Sequence, residues 1–186
     1  WVVEIDPWRP DLPPVKRTAL GRFKHEGATC TLARDGRVVV YMGDDERFEY
    51  VYKFVSHDRY RAGNPGNARL LDTGTLYVAR FDDDGKGRWL PLRHGEKYPN
   101  GALTADNGFT SQGEVVIRCR QAAALAGATK MDRPEWIAVH PESGEVYVTL
   151  TNNGKRGTPE APGLNAANPR PENHFGHIVR WRENRH

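Results

Sequence analysis

The apolar residues of this 186-residue chain come in short runs, each broken by Gly, Pro, Asn or Asp. Runs of that length, several with a period of two, predict strands rather than helices. Residues 1–6 form the first, stopped by Pro7 and by the proline-rich stretch 10–14. Residues 28–33 and 37–43 flank Arg34-Asp35-Gly36, where Asp-Gly signals a hairpin turn. Residues 50–56 alternate well and predict a further strand. A second hairpin is expected from 74–82 and 87–92 around Asp83-Asp84-Gly85-Lys86. A third comes from 136–140 and 145–151 around Pro141-Glu142-Ser143-Gly144, and a last strand covers 177–183.

One segment departs from this rhythm. Residues 114–126 are rich in Ala and predict a short helix closed by Gly127. Three long polar stretches, 57–73, 93–112 and 152–175, are expected to be functional insertions or disordered segments. Many strands and one helix predict an all-β sandwich, barrel or propeller, and three hairpins favour the propeller. No strict repeat occurs at the ~40–45-residue spacing of propeller blades. A propeller of this length holds about three or four blades, so the expected form is an open arc.

Composition narrows the function classes. The longest apolar run, Val38-Val39-Val40-Tyr41-Met42, is far too short to span a bilayer. The formal charge is only +3, from 27 basic and 24 acidic residues scattered along the chain, which argues against a nucleic-acid partner. Cys30 and Cys119 form no metal or redox motif, and their spacing gives no ground for a disulfide. The chain opens at Trp1 inside an expected strand and closes just after another. Both ends are therefore expected to be cut, with any targeting segment outside this sequence.

Candidate chemistry gathers where strands meet loops. In Lys24-His25-Glu26-Gly27, Glu26 offers a hard oxygen ligand and Gly27 permits a sharp bend, although a solvated turn is the plainer reading. In Tyr41-Met42-Gly43-Asp44-Asp45-Glu46 three acids follow one another, and their repulsion is most easily offset by a cation such as Ca²⁺, although a run of acids is also a common way to keep an edge soluble. In Asp132-Arg133-Pro134-Glu135-Trp136 the proline restricts the backbone, and residues 133 and 135 share one side of an extended segment. That pair makes either a surface salt bridge or a phosphate clamp beside a metal ligand. The stretch 168–177 holds two His, one Glu, one Arg and two Asn at spacings that match no zinc motif, and a Pro-rich surface loop explains it equally well. No nucleophile elbow, Walker loop or Cys–His pair is present.

Taken together and in order, the strings VKRTALGRFKHEGA, RVVVYMGDDERFEYVYKFVS, LLDTGTLYVARF, GATKMDRPEWIAVHPESGEVYVTLTNN and NPRPENHFGHIVRW resemble the C-terminal part of PhoX-type alkaline phosphatases. The resemblance covers nearly the whole chain. It implies that 1–186 are the C-terminal part of a single propeller domain, six-bladed in the full-length family, whose central site holds calcium and iron(III). It also implies hydrolysis of phosphate monoesters, and export to the periplasm or beyond, commonly by the twin-arginine route.

Carried over by motif, Glu26 and Asp45 look like metal ligands, with Asp44 the lesser candidate. Arg133 looks like the phosphate-binding arginine and Glu135 like a calcium ligand. The resemblance is not extended to Glu172, Asn173 or His177. The family's iron-ligating cysteine lies upstream of the matched region, and neither Cys30 nor Cys119 sits in that motif. This chain is thus expected to bear part of a site and to be inactive without the missing N-terminal part. The alternatives are a calcium-dependent propeller lactonase or esterase, which has less need of a guanidinium, and a non-catalytic propeller scaffold.

Overall fold

The computed structural model describes residues 1–184. A short ribbon opens the chain, β1 (Val3–Glu4) against β2 (Val15–Lys16). Then β3 (His25–Leu32), β4 (Arg37–Asp44), β5 (Val51–Arg59), β6 (Gly74–Phe81) and β7 (Gly87–Pro91) form a five-stranded antiparallel meander in chain order. A second ribbon, β8 (Lys97–Tyr98) with β9 (Gly101–Ala102), precedes two helices, α1 (Gln112–Ile117) and α2 (Cys119–Ala126). A three-stranded meander ends the chain: β10 (Pro134–Val139), β11 (Val146–Leu150) and β12 (His177–Trp181). The architecture is the expected all-β open arc, with no closed barrel among the described residues. It has two meanders where the length suggested three or four blades.

All three expected hairpins form, joining β3 to β4, β6 to β7 and β10 to β11. Their turns use Gly36, Gly85 and Gly144 at φ of 85°, 79° and 70°, a region that L side chains avoid. The first strand is much shorter than residues 1–6. The prolines after it supply no donors to a ladder, so the ribbon depends on Arg17 instead. That buried guanidinium meets Glu4 at 2.7 Å, Asp72 at 2.5 Å and the Ala68 carbonyl at 2.8 Å.

The expected single helix is two. Arg118 leaves helical geometry at φ −110° and ψ 36°, and its guanidinium donates to the Gly108 carbonyl at 2.7 Å. Ser111 caps α1 by accepting from the Glu114 amide, and Gly127 ends α2 at φ 81°. The three polar stretches carry short regular elements and hydrogen-bonded turns. In the first, β5 runs on to Arg59 and a 3-10 turn follows at Pro65–Arg69. The second carries the β8–β9 ribbon, and the third wraps a buried polar network described below.

Strand β4 explains the layering. From Val39 to Asp44 every residue is buried, so the strand is covered on both faces. Val40 and Met42 point into one core with Tyr52, Phe54, Leu76, Val78 and the α2 residues Cys119, Ala122 and Ala123. Val39 and Tyr41 point into the other, with Met131, Ile137, Val148 and Leu150 of the second meander. The period of two thus sorts one strand's side chains between helix and sheet. Tyr41, Trp89 and Trp181 pack ring against ring at about 6 Å in the second core. Glu183 closes that cluster by accepting from Tyr41 Oη, Trp89 Nε1 and Lys53 Nζ at 2.8, 2.9 and 3.1 Å.

The two meanders approach each other closely at Gly43. A Cβ there would lie 2.4 Å from the Glu135 carbonyl oxygen and 2.7 Å from that of Pro134. Both are backbone atoms and cannot swing aside. Gly43→Ala is expected to lower unfolding stability by roughly 1–3 kcal/mol, checked by urea denaturation, because β10 must move away from β4.

Next to it, the His25 ring stacks on Phe23 at 3.7 Å, and Phe23 stacks in turn on Tyr52 at 4.3 Å. Its Nε2 donates to the Gly21 carbonyl at 3.0 Å, while Nδ1 is buried without a partner. Burial lowers its pKa from 6.5 to about 4, opposed by the Gly21 hydrogen bond. The folded state therefore holds a neutral ring where the unfolded chain takes up a proton. The stability at stake is intact above pH ~6.5 and is lost as pH falls toward about 4, by on the order of 2–3 kcal/mol. Denaturation midpoints measured across that window should flatten in His25→Gln.

Candidate active site

The strand ends at one corner of the fold bring together the segments that carry all five candidate residues. His25 pairs with Asp44 and Glu26 with Gly43 across the β3–β4 ladder, so the start of β3 lies beside the end of β4. Gly43 rests on the backbone of Pro134 and Glu135, which places the start of β10 at the same corner. The ladder shifts register between Glu26 and Thr29, and Gly27 sits in that shift at φ 70°. This is a bulge, a device that bends a strand and re-aims its side chains.

The acids differ in what surrounds them. Asp44 is fully buried, and Arg120 of α2 grips it with two nitrogens, Nε to Oδ2 at 2.8 Å and Nη2 to Oδ1 at 2.6 Å. The Lys24 amide also donates to Oδ1, at 3.2 Å. Burial raises the Asp44 pKa and the Arg120 guanidinium opposes the rise, while Asp44 in turn holds Arg120 more firmly protonated.

Asp45 is gripped in the same way by Arg133, Nε to Oδ1 at 3.0 Å and Nη2 to Oδ2 at 3.2 Å. The third guanidinium nitrogen, Nη1, donates to Asn152 Oδ1 at 3.1 Å. The candidate phosphate-binding arginine and one candidate metal ligand are thus partners. Glu46 pairs with Lys24.

Glu26 and Glu135 are half-buried, and neither has a basic side chain within ion-pair distance among the described residues. They are carboxylates whose charge no neighbour answers. Their chemistry suits a hard cation, but their number falls short. Among the described residues no three His, Cys, Asp or Glu side chains come close enough to hold a metal ion. The residues present therefore do not make a metal cage by themselves.

Sequence reasoning missed the partners. Nothing in a helical Arg120 announces that it answers Asp44, which lies 76 residues earlier. It also passed over Asp132, fully buried beside Arg133 and bonded to the equally buried Arg156 at 2.8 Å. Asp132 further accepts from Asn153 Nδ2 at 3.0 Å and Asn173 Nδ2 at 3.2 Å, and its amide donates to Asn168 Oδ1 at 3.0 Å. The one available signal was the density of Asn in 152–173, since an amide can satisfy a buried carboxylate without adding charge. His177 joins this network through Nδ1 to Asn173, at 2.9 Å, and Nε2 to the Ala167 carbonyl, at 2.8 Å. The stretch 168–177 is largely exposed, but its buried Asn168 and Asn173 brace Asp132.

Comparison with known proteins agrees with the resemblance drawn from the motifs. The family model described as alkaline phosphatase PhoX matches residues 1–186. Among solved structures, Pseudomonas fluorescens PhoX in complex with vanadate, a transition state analogue, is 55% identical and superposes with a TM-score of 0.92. The match covers 100% of this chain and 33% of that one, so the chain spans about a third of its neighbour's length. No curated protein matches the chain. No helix of the described residues is long and apolar enough to cross a membrane. By its match over every residue, the chain belongs to the PhoX alkaline phosphatase family.

Proposed function

We propose that this chain is the C-terminal arc of a larger propeller enzyme that hydrolyses phosphate monoesters, and that Arg133 binds the phosphoryl group. The observation that carries the reading is the Arg133 fork at the β3–β4–β10 corner. Two parallel N–H groups that fit the two oxygens of Asp45 also fit two oxygens of a phosphoryl group. Support also comes from the neighbour, which is 55% identical and was solved with vanadate, a transition state analogue. In the transition state the equatorial oxygens carry spread negative charge, which the Arg133 guanidinium would stabilise on exchanging Asp45 for them.

Glu26, Glu135 and Asp45 are proposed as ligands for calcium and iron(III), completed by groups outside these residues. Such hard cations, when bound, draw charge from phosphoryl oxygens. Asp44 carries less weight as a ligand because it is fully buried, with the Lys24 amide as well as Arg120 on its oxygens, whereas Asp45 keeps some exposure. The protein is proposed to act in the periplasm or outside the cell, as the family resemblance implies.

A chain completed with the segment that its neighbour has outside the matched third should cleave p-nitrophenyl phosphate with calcium and iron supplied, and lose turnover on chelation of calcium. The 186-residue chain alone should give no turnover in the same assay. Absence of activity in the completed, metal-supplied protein would overturn the phosphatase reading. In that protein Arg133→Ala should weaken inhibition by inorganic phosphate by roughly 10–100-fold, the loss of a charged hydrogen-bonding pair. Unchanged inhibition would take Arg133 out of the site.

A further inference from the structure

All three non-glycine residues with positive φ among the described residues touch one buried ion pair or adjoin a member of its network. They are Phe48 at φ 68°, Arg133 at 47° and Glu172 at 43°. Such a conformation costs on the order of 1–3 kcal/mol and persists only where the surroundings over-determine it. Phe48 lies beneath the Arg156 guanidinium, its ring centre 4.9 Å away. Arg133 follows Asp132 in the chain, and Asp132 binds Arg156 Nε at 2.8 Å. The Glu172 amide donates to the Arg156 carbonyl at 2.8 Å, and the next residue, Asn173, binds Asp132.

We propose that Arg156 is a positioning residue for Arg133, setting the backbone on both sides of the Asp45–Arg133 pair from behind the site. This rests on the reading of Arg133 as the phosphate-binding group and extends it to a residue that no motif singles out. The geometry has two arms. One holds the Arg133 segment: Nε binds Asp132, and Nη2 donates to the Lys130 carbonyl at 2.7 Å. The other holds the Asp45 segment: the ring of Phe48 stacks on the guanidinium, and its amide donates to the Met131 carbonyl at 2.9 Å. The remaining nitrogen, Nη1, reaches the Gly163 carbonyl at 3.1 Å, which ties the long polar loop to the same centre.

A planar fork is needed to make these contacts at once. Lysine keeps the charge, so Asp132 stays paired, but it has no fork and no flat face for Phe48. Arg156→Lys therefore separates geometry from charge. A purely structural Arg156 would alter melting temperature alone; a positioning role also alters what Arg133 can bind.

The test is vanadate affinity and melting temperature of the completed protein carrying Arg156→Lys, Arg133→Ala, and both. Arg156→Lys is expected to weaken vanadate binding by on the order of tenfold, and to add nothing further in the Arg133→Ala background. Wild-type affinity in a folded Arg156→Lys protein, or a loss that adds in full to that of Arg133→Ala, would overturn the proposal. If Arg133→Ala itself leaves vanadate affinity unchanged, the underlying reading of Arg133 fails instead. Should Arg156→Lys not fold, Phe48→Leu decides. It removes the stacked ring from an intact ion pair, and is expected to weaken vanadate binding less, again only while Arg133 is present. Unchanged affinity in Phe48→Leu would then reject the proposal.

Discussion

The ion pair between Asp132 and Arg156 is the constraint to which the loops of this arc are tied. Both side chains are wholly buried, and desolvating two charges costs several kcal/mol per ion before any attraction is counted. Such a pair is weak evidence for net stability, and its worth here lies in specification. Asn153, Asn168 and Asn173 fill the hydrogen-bonding capacity that Arg156 leaves on Asp132 and its amide, so the network is satisfied throughout. Three loops, 45–50, 130–133 and 152–176, have one arrangement that meets all of these demands. Strain in the backbone at Phe48, Arg133 and Glu172 is held by that shared centre.

Around it the packing follows from β4. A strand buried on both faces can serve two cores only if one set of alternate residues meets the helices and the other the second meander. The close approach of the meanders at Gly43 then fixes where β10 begins relative to the end of β4. Arg120 gives α2 a hold on the same corner through Asp44. Two arginine forks thus meet at this corner, one on the fully buried Asp44 and one on the partly buried Asp45.

Legibility in the sequence divided along the range of the interactions. The hairpins were readable because Asp35-Gly36, Asp84-Gly85 and Ser143-Gly144 encode their turns within a few residues. Gly127 marked the end of α2 for the same reason. The break at Arg118 was hidden, because an Arg has good helix propensity and only its bond to Gly108 shows why it leaves the helix. The polar stretch 152–175 read as a functional insertion or a disordered segment, since polarity does not distinguish a solvated amide from one that satisfies a buried carboxylate. The candidate acids and Arg133 were found by motif. Their pairing was not, because Asp45 and Arg133 stand 88 residues apart and meet only when β4 and β10 pack.

The Arg133 fork at the β3–β4–β10 corner is proposed as a phosphoryl-binding group. It is tested most directly by a crystal structure of the completed protein with vanadate bound. Guanidinium nitrogens of Arg133 are expected within hydrogen-bonding distance of vanadate oxygens, with the Asp132–Arg156 pair intact behind them. Vanadate seated elsewhere, with Arg133 still forked on Asp45 alone, would contradict it.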